Sequence, residues 1–206
     1  MDPERPDPDL VTPEGVARWR KAQRERLLES RMGIPGRERR EADRKIISRL
    51  EGEVGTIRGA VVSVYWPFRG EPDLRPFMDH VVAQGGRLAL PVVVERERPM
   101  VFRAWTPGKP LEDGVWGIPI PPEGAEVLAP DVVITPVVGF DRACYRLGYG
   151  GGYYDRTLAS LPERPLFVGV GYAQAALESI YPQPHDIPLD LVLTEGGRSC
   201  AHEGGP

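Results

Sequence analysis

Asp131-Val132-Val133-Ile134-Thr135-Pro136 is a short apolar run rich in β-branched side chains, and it predicts a buried β-strand. A second run of the same kind, Gly59-Ala60-Val61-Val62-Ser63-Val64-Tyr65, predicts another. Both runs are continuously apolar rather than alternating, which is typical of strands that are covered on both faces. The chain therefore contains a buried, mainly parallel sheet.

Other strands and helices alternate around these two runs. Strands are predicted at about residues 87–94, 99–104, 165–171 and 189–194, and helices at about 72–84, 153–160 and 174–180. Strands that are joined by helices form parallel sheets with helices on both faces. The predicted fold class is α/β, a three-layer α/β/α sandwich with a mainly parallel sheet.

Two helices are predicted ahead of this sheet. Thr12 followed by Pro13 and Glu14 is an N-cap signal, so the first helix begins there and ends near the glycines at 33 and 36. The second covers about residues 37–50. Residues 15–50 carry twelve basic and five acidic residues, a local net charge of +7 in a chain of net charge −4. This excess indicates either a solvated helical face or an anion-binding element.

The composition limits the class of protein. With 206 residues, 41% hydrophobic and 27% charged, the chain has an ordinary globular composition, which excludes a disordered chain. We expect one domain over residues 10–196, with loose termini at 1–9 and 197–206. No apolar run approaches membrane-spanning length and the first residues lack a secretory pattern, so we expect a soluble cytoplasmic protein. Cys144 and Cys200 form no C-x-x-C pair and are expected to be free thiols.

Nucleic acid is not an expected partner. The basic segment is interrupted by acidic residues, namely Glu25, Glu29, Glu38, Glu41 and Asp43. A surface that binds a phosphate backbone is dominated by positive charge, which these carboxylates would weaken. We expect a monomer that acts on small molecules.

Residues 146–156, Arg-Leu-Gly-Tyr-Gly-Gly-Gly-Tyr-Tyr-Asp-Arg, follow a predicted strand and open a predicted helix. Four glycines in five positions let backbone amides approach a ligand, and a helix N-terminus adds unpaired N–H donors that suit phosphate. The spacing matches neither G-x-x-x-x-G-K-[ST] nor G-x-G-x-x-G. Glycines alone are also compatible with a flexible turn, but the tyrosines, the aspartate and the arginines beside them favour a binding site.

This stretch, together with Phe140-Asp141 before it, closely resembles the signature of the 5-formyltetrahydrofolate cyclo-ligase family, also called methenyltetrahydrofolate synthetase. Weaker similarities extend the resemblance over about residues 16–195. The resemblance implies an ATP- and Mg²⁺-dependent conversion of 5-formyltetrahydrofolate to 5,10-methenyltetrahydrofolate, with release of ADP and phosphate. ATP phosphorylates the formyl oxygen, N10 of the folate attacks the activated carbon, and phosphate leaves.

The resemblance also implies roles for particular residues. Glu71 and Arg146 would be catalytic, and Asp155 and Asp186 would hold Mg²⁺. The folate pocket would be formed by Trp66, Glu71, Trp116 and Tyr153. ATP would be bound by Arg20, Arg146, Leu147, Gly148, Tyr149, Gly150, Gly151, Gly152, Tyr153 and Tyr154.

Several of these residues also have ordinary structural interpretations. Asp155 fits the first turn of a helix, Asp186 fits a turn and Glu71 fits a helix cap, while tryptophans are more often core residues than site residues. The chain departs from the family pattern at Val16, where a lysine is usual, and at Cys144, where a glycine is usual. The alternative hypothesis is therefore a non-catalytic paralogue that binds folate or nucleotide.

Overall fold

A computed structural model of the chain describes residues 12–201. Its four α-helices are α1 (Pro13–Met32), α2 (Gly36–Glu53), α3 (Arg75–Ala83) and α4 (Tyr153–Ser160). The start of α1 is as predicted, since Thr12 Oγ1 accepts a hydrogen bond from the Gly15 amide at 3.1 Å. Within the described residues, no helix is both long and apolar enough to cross a bilayer.

Seven strands form the main sheet, in the order β11-β10-β9-β6-β1-β2-β3. The strands are β1 (Val61–Ser63), β2 (Arg87–Val92), β3 (Val101–Trp105), β4 (Glu112–Asp113), β5 (Pro119–Ile120), β6 (Val132–Pro136), β7 (Gly139–Phe140), β8 (Arg146–Leu147), β9 (Leu166–Val170), β10 (Leu191–Thr194) and β11 (Gly197–Ala201). The pairs from β10 through β2 are parallel, and the edge strands β3 and β11 are antiparallel. The α/β class, the mainly parallel sheet and the two N-terminal helices are thus confirmed.

The central strands are buried on both faces, as their continuous apolar sequence predicts. In β6, Ile134 packs into a cluster that contains Ile46 of α2 and Phe77 of α3. Its neighbour Val133 packs into a second cluster, which contains Leu27 of α1. Successive side chains of a strand point to opposite faces, so the two clusters lie on the two sides of the sheet.

The strand order reverses at the centre of this sheet. The chain proceeds from β1 to β2 on one side and later returns to β6 on the other side of β1. In open α/β sheets, the crevice at the carboxyl ends of two such strands is where ligands bind. The loops that leave β1 and β6 therefore border the expected site.

The predicted helix over residues 174–180 is wrong. The structure has a single 3₁₀ turn there, Ala173–Ala175. The Leu177 amide donates instead to the carbonyl of Phe140 at 2.8 Å, and the Ile180 amide donates to Asp141 at 3.0 Å. Because these amides bond across the fold, they cannot form a helical ladder.

The C-terminal prediction is also corrected. Residues 197–201, expected to be loose, form β11 along β10, which brings Cys200 beside Cys144. The two cysteines form a disulfide with Cα atoms 5.7 Å apart, so the expectation of free thiols was wrong. The bridge joins residues 56 positions apart, and such a contact depends on strand pairing that the cysteine spacing does not reveal. The remaining residues expected to be loose, 1–9 and 202–206, lie outside the described part of the chain.

Candidate active site

One cavity of about 480 Å³ opens at the strand-order reversal. This volume is within the usual range of small-molecule sites. All the residues that the sequence nominates line it, namely Arg20, Trp66, Glu71, Trp116, the run from Arg146 to Asp155, and Asp186. Residues that lie up to 166 positions apart in the sequence thus meet at one place in the fold.

The glycine loop, residues 148–152, forms one wall of this cavity between β8 and α4. Gly150 and Gly152 have φ angles of +94° and +63°, which favour glycine over every other residue. Gly152 is the N-cap of α4 and provides no side-chain cap, so the first-turn N–H groups of the helix remain available to a ligand. A Cβ atom at Gly148 would have no atom within 4 Å, which leaves the backbone there open to an incoming group.

Arg20 of α1 is fixed beside this loop by Asp186. Its guanidinium donates to both oxygens of Asp186, at 2.5 and 3.3 Å, and to the carbonyls of Ile180 and Tyr181. Burial alone would raise the pKa of Asp186, but hydrogen bonds from Arg20 and Gln183 outweigh it, so the pKa lies below its usual value. Asp186 therefore carries a negative charge that neutralises Arg20.

Arg146 forms the second arginine–aspartate pair of the cavity. Its Nη2 atom lies 2.8 Å from Asp155 Oδ1, and its Nη1 atom donates to the Ile187 carbonyl at 2.7 Å. Burial lowers the pKa of Arg146, and the nearby charge of Asp155 opposes that shift. Asp155 Oδ1 also accepts from the Ile187 amide, so this pair joins the start of α4 to the segment around Asp186.

Glu71 follows β1 in the chain, lines the cavity beside the glycine loop and is 4% exposed. Its carboxylate accepts hydrogen bonds from the Phe68 amide at 2.8 Å and from the Tyr149 hydroxyl at 2.9 Å. Burial raises the pKa of Glu71 to about 7, although Arg31 and these two donors pull it down. Arg31 in turn donates to the Tyr149 hydroxyl, which links Glu71 to α1 through the glycine loop.

Aromatic rings complete the apolar part of the wall. Trp66 packs edge-on against Trp105, with ring centroids 5.6 Å apart, and lines the cavity from the β1 side. Trp116 also lines the cavity; it is 63% exposed, and its ring lies edge-on to Tyr153 at 6.2 Å. A flat apolar ligand would therefore find aromatic rings to contact in this cavity.

Two residues of this site were not predicted from the sequence, Arg24 and Arg31. Arg24 lines the cavity, and Arg31 donates to the Tyr149 hydroxyl as described. At 100° per residue, positions 20, 24 and 31 fall within about 40° of one another around a helix, next to the buried Val16 and Leu27. This spacing puts the three arginines on one side of α1, but nothing in the sequence distinguishes them from the other arginines of the helix.

The two departures from the family pattern lie outside the cavity wall. Val16 is a buried apolar residue of α1, with 4% of its surface exposed. Cys144 is fully buried and has a φ of +62°, a conformation that glycine adopts without strain. Residue 144 thus has a backbone conformation that favours glycine, and its side chain forms the disulfide with Cys200.

Metal binding by protein ligands alone has no support in the described residues. Between positions 12 and 201, no cluster of three or more His, Cys, Asp and Glu side chains could hold an ion. Two carboxylates were predicted to bind Mg²⁺. Both oxygens of Asp186 accept hydrogen bonds, whereas the contacts of Asp155 with Arg146 and Ile187 are made by Oδ1. Mg²⁺ is commonly held by one or two carboxylates together with substrate phosphates and waters, and Asp155 fits that mode.

Comparison with known proteins gives a consistent result. The model of the 5-formyltetrahydrofolate cyclo-ligase family matches residues 16–195. The 5-formyltetrahydrofolate cyclo-ligase of Mycolicibacterium smegmatis is 31% identical over 179 residues, which is 82% of this chain and 89% of that protein. The enzyme of the same name from Escherichia coli is 28% identical over 174 residues, 82% of this chain and 96% of that protein.

The fold is shared as well. The NMR structure of Aquifex aeolicus 5,10-methenyltetrahydrofolate synthetase superimposes with a TM-score of 0.77 at 30% identity, covering 91% of this chain and 94% of that one. The Mycoplasma pneumoniae synthetase has the same fold at 23% identity, with a TM-score of 0.70 and coverage of 85% and 98%. With a family match across nearly the whole described chain, this protein belongs to the 5-formyltetrahydrofolate cyclo-ligase family.

Proposed function

We propose that this protein is an ATP- and Mg²⁺-dependent 5-formyltetrahydrofolate cyclo-ligase, which forms 5,10-methenyltetrahydrofolate, ADP and phosphate. One observation carries the proposal: a single cavity is lined by a glycine loop at a helix N-terminus, a cluster of arginines, a buried glutamate and aromatic rings. The first two suit a triphosphate and the third suits a heterocycle with N–H donors.

The two substrates divide the cavity between them in this proposal. The triphosphate lies along residues 148–152 and the first turn of α4, with Arg20 and Arg146 in the wall beside it. The folate lies between Trp66 and Trp116, where Glu71 accepts hydrogen bonds from it. The γ-phosphate then faces the formyl group where the two halves of the cavity meet.

The chemistry requires activation of the formyl oxygen, since an amide oxygen is a poor leaving group. The oxygen attacks the γ-phosphorus and ADP leaves. N10 then adds to the formyl carbon, loses its proton, and the phosphorylated oxygen departs as inorganic phosphate. Positioning and charge stabilisation supply most of the catalysis in such transfers, so the protein's contribution is a preorganised set of donors.

Asp155 is the proposed protein ligand of Mg²⁺. Its second oxygen, together with phosphate oxygens and waters, would complete the coordination of an ion that neutralises charge on the triphosphate. Asp186 could bind the ion directly only by exchanging its hydrogen bonds with Arg20. In our proposal it therefore keeps Arg20 in place instead.

Glu71 is the proposed acceptor for the proton that leaves N10. A carboxyl with a pKa of about 7 is partly ionised at neutral pH and can take up a proton efficiently there. Tyr149 and Arg31 hold the carboxylate toward the cavity. We further propose that the enzyme is a monomer and acts in the cytoplasm, where ATP is available.

The proposal is tested by turnover. Purified protein with 5-formyltetrahydrofolate, ATP and Mg²⁺ should develop the absorbance of the methenyl product, and omission of any one component should abolish it. Absence of product at every Mg²⁺ concentration would refute the proposal.

A non-catalytic paralogue is the alternative, and the same protein sample distinguishes it. Calorimetry that detects folate and ATP binding without product would favour the paralogue. Restoring a lysine at position 16 is a poor test, because Val16 is buried and an unpaired buried charge is strongly destabilising.

A further inference from the structure

Arg24 of α1 lies directly over the glycine loop. Its Nε donates to the Gly148 carbonyl at 2.7 Å. Its guanidinium carbon would be 3.4 Å from a Cβ atom built on Gly150, so the planar group rests against the loop backbone. Arg24 is half-buried and lines the same cavity wall as Arg20 and Arg146.

Arg24 differs from Arg20 and Arg146 in its ion pairing. Arg20 is paired with Asp186 and Arg146 with Asp155, and both arginines donate to carbonyls as well. Among residues 12–201, no carboxylate forms an ion pair with Arg24, and its hydrogen bond goes to a neutral carbonyl. The pKa of Arg24 is lowered by burial and by the positive charge of Arg20, and the negative charge of Asp186 opposes that shift. Four arginines line the cavity, and two of them, Arg24 and Arg69, form no ion pair with a carboxylate among residues 12–201. Of the four, Arg24 is the one that donates a hydrogen bond to the glycine loop. Arg24 therefore lies over the loop without an ion-paired counter-ion in the described part of the protein.

An anionic ligand would supply that counter-ion. A guanidinium presents several N–H donors in one plane, and this fork matches the oxygens of a phosphate group. Because Nε is engaged with Gly148, the guanidinium is held beside the loop, with Nη1 3.6 Å from a Cβ atom built on Gly150. The bond to Gly148 thus orients the group rather than neutralising it.

We propose that Arg24 is a further phosphate-binding side chain of this cavity, held over the glycine loop by its hydrogen bond to the Gly148 carbonyl. The inference rests on the proposed function in that the phosphate belongs to ATP. It adds a binding residue that the glycine-loop signature does not include.

The test is nucleotide binding in the absence of folate. Calorimetric titration of the full chain with ATP, ADP and adenosine, in the presence of Mg²⁺, should show that Arg24→Met weakens ATP binding by about 10- to 100-fold, the size of a lost charge-assisted contact. Adenosine binding should not change. The matched control is Arg26→Met, which removes an exposed arginine from the same helix and should leave both affinities unchanged.

Each other outcome overturns the inference. If Arg24→Met weakens ATP and adenosine equally, Arg24 only anchors the loop; if it weakens neither, or if the wild type binds no ATP, Arg24 binds no phosphate. Thermal denaturation of both variants shows whether either has lost its fold, and Arg24→Gln provides a second neutral replacement. Failure of the proposed function is distinct: it is an absence of methenyl product, whatever the nucleotide affinities.

Discussion

Glu71 is the residue whose environment departs most clearly from solution. It is nearly inaccessible, yet two hydrogen-bond donors and the nearby Arg31 keep its charged form accessible around neutral pH. Such a compromise between burial and stabilisation of charge is common where a carboxyl takes part in chemistry. It also has a cost in stability, which can be measured.

We predict that Glu71→Gln is inactive but more stable than the wild type at pH 8. Because the pKa in the folded protein is raised from 4.5 to about 7, the carboxyl's contribution to stability is complete below pH 4.5 and is lost as pH rises through about 7. A shift of that size corresponds to roughly 3 kcal/mol. Urea unfolding at pH 4.5 and pH 8 measures it.

The control for this measurement is Glu178→Gln, an exposed glutamate outside the cavity. It should follow the wild-type pH dependence. Equal losses of stability for wild type and Glu71→Gln between pH 4.5 and 8 would show that Glu71 does not have the raised pKa.

Tyr149→Phe should move the acid limb of the pH–rate profile to higher pH. The Tyr149 hydroxyl donates to the carboxylate and favours its charged form, so removing that donor raises the pKa of Glu71 further. We expect a shift of about one unit in the profile of kcat/KM for folate. Tyr145→Phe, four residues earlier and off the cavity wall, is the control, and identical profiles for both variants would contradict the link.

At the scale of elements, the glycine loop and α1 together form the wall to which we assign the phosphates. The loop has its shape because Gly150 and Gly152 take up left-handed backbone conformations, and α1 contacts it through Arg24. On this proposal, the +7 segment is in part an anion-binding element and in part a solvated face.

Gly150→Ala and Gly152→Ala should each raise the KM for ATP at least about tenfold and lower stability by roughly 1 kcal/mol, because alanine is strained at positive φ. Gly52→Ala is the matched control, since Gly52 lies in α2 and a Cβ there meets no atom within 4 Å. That variant should be as stable as the wild type or slightly more stable. Unchanged ATP kinetics in both loop variants would argue against phosphate binding by the loop.

The sequence predicts those elements whose formation depends mostly on residues close together in the chain. Continuous β-branched runs specify β1 and β6, and Thr12 with Pro13 specifies the start of α1. By contrast, β11 contains Gly197, Arg198 and Ser199, with no apolar pattern, and forms because β10 offers a free edge. Elements of this kind depend on tertiary partners that a single stretch of sequence does not reveal.

The site follows the same division. The glycine loop and the carboxylates could be predicted because they belong to one specific sequence motif or match a position of the family pattern. Arg24 and Arg31 could not, because an arginine-rich helix offers many candidates and the contact with the loop decides among them. The pairing of both nominated metal ligands with arginines likewise required the three-dimensional arrangement.

At the scale of the whole molecule, the disulfide ties the C-terminal strand to the segment that precedes the glycine loop. It encloses a loop of 56 residues, which includes α4 and the segment around Asp186. Cross-linking a loop of that length restricts the unfolded chain and stabilises the folded one by about 4 kcal/mol in the chain-entropy model.

Reduction should therefore lower the melting temperature by about 10 °C, and Cys200→Ser should do the same without added reductant. Turnover at 25 °C should be unaffected, since neither cysteine lines the cavity. Calorimetry with and without dithiothreitol measures the shift, and the Cys200→Ser protein should show none on reduction. A wild-type melting temperature that is insensitive to reductant would mean that the bridge does not stabilise the fold.

If the cavity couples ATP cleavage to folate cyclisation, as proposed, both products must form in the same reaction. Methenyl absorbance and ADP release, recorded together under limiting 5-formyltetrahydrofolate, should appear in a one-to-one ratio and stop together. Methenyl formation without ADP, ADP release that continues without folate, or no product at all would contradict the account.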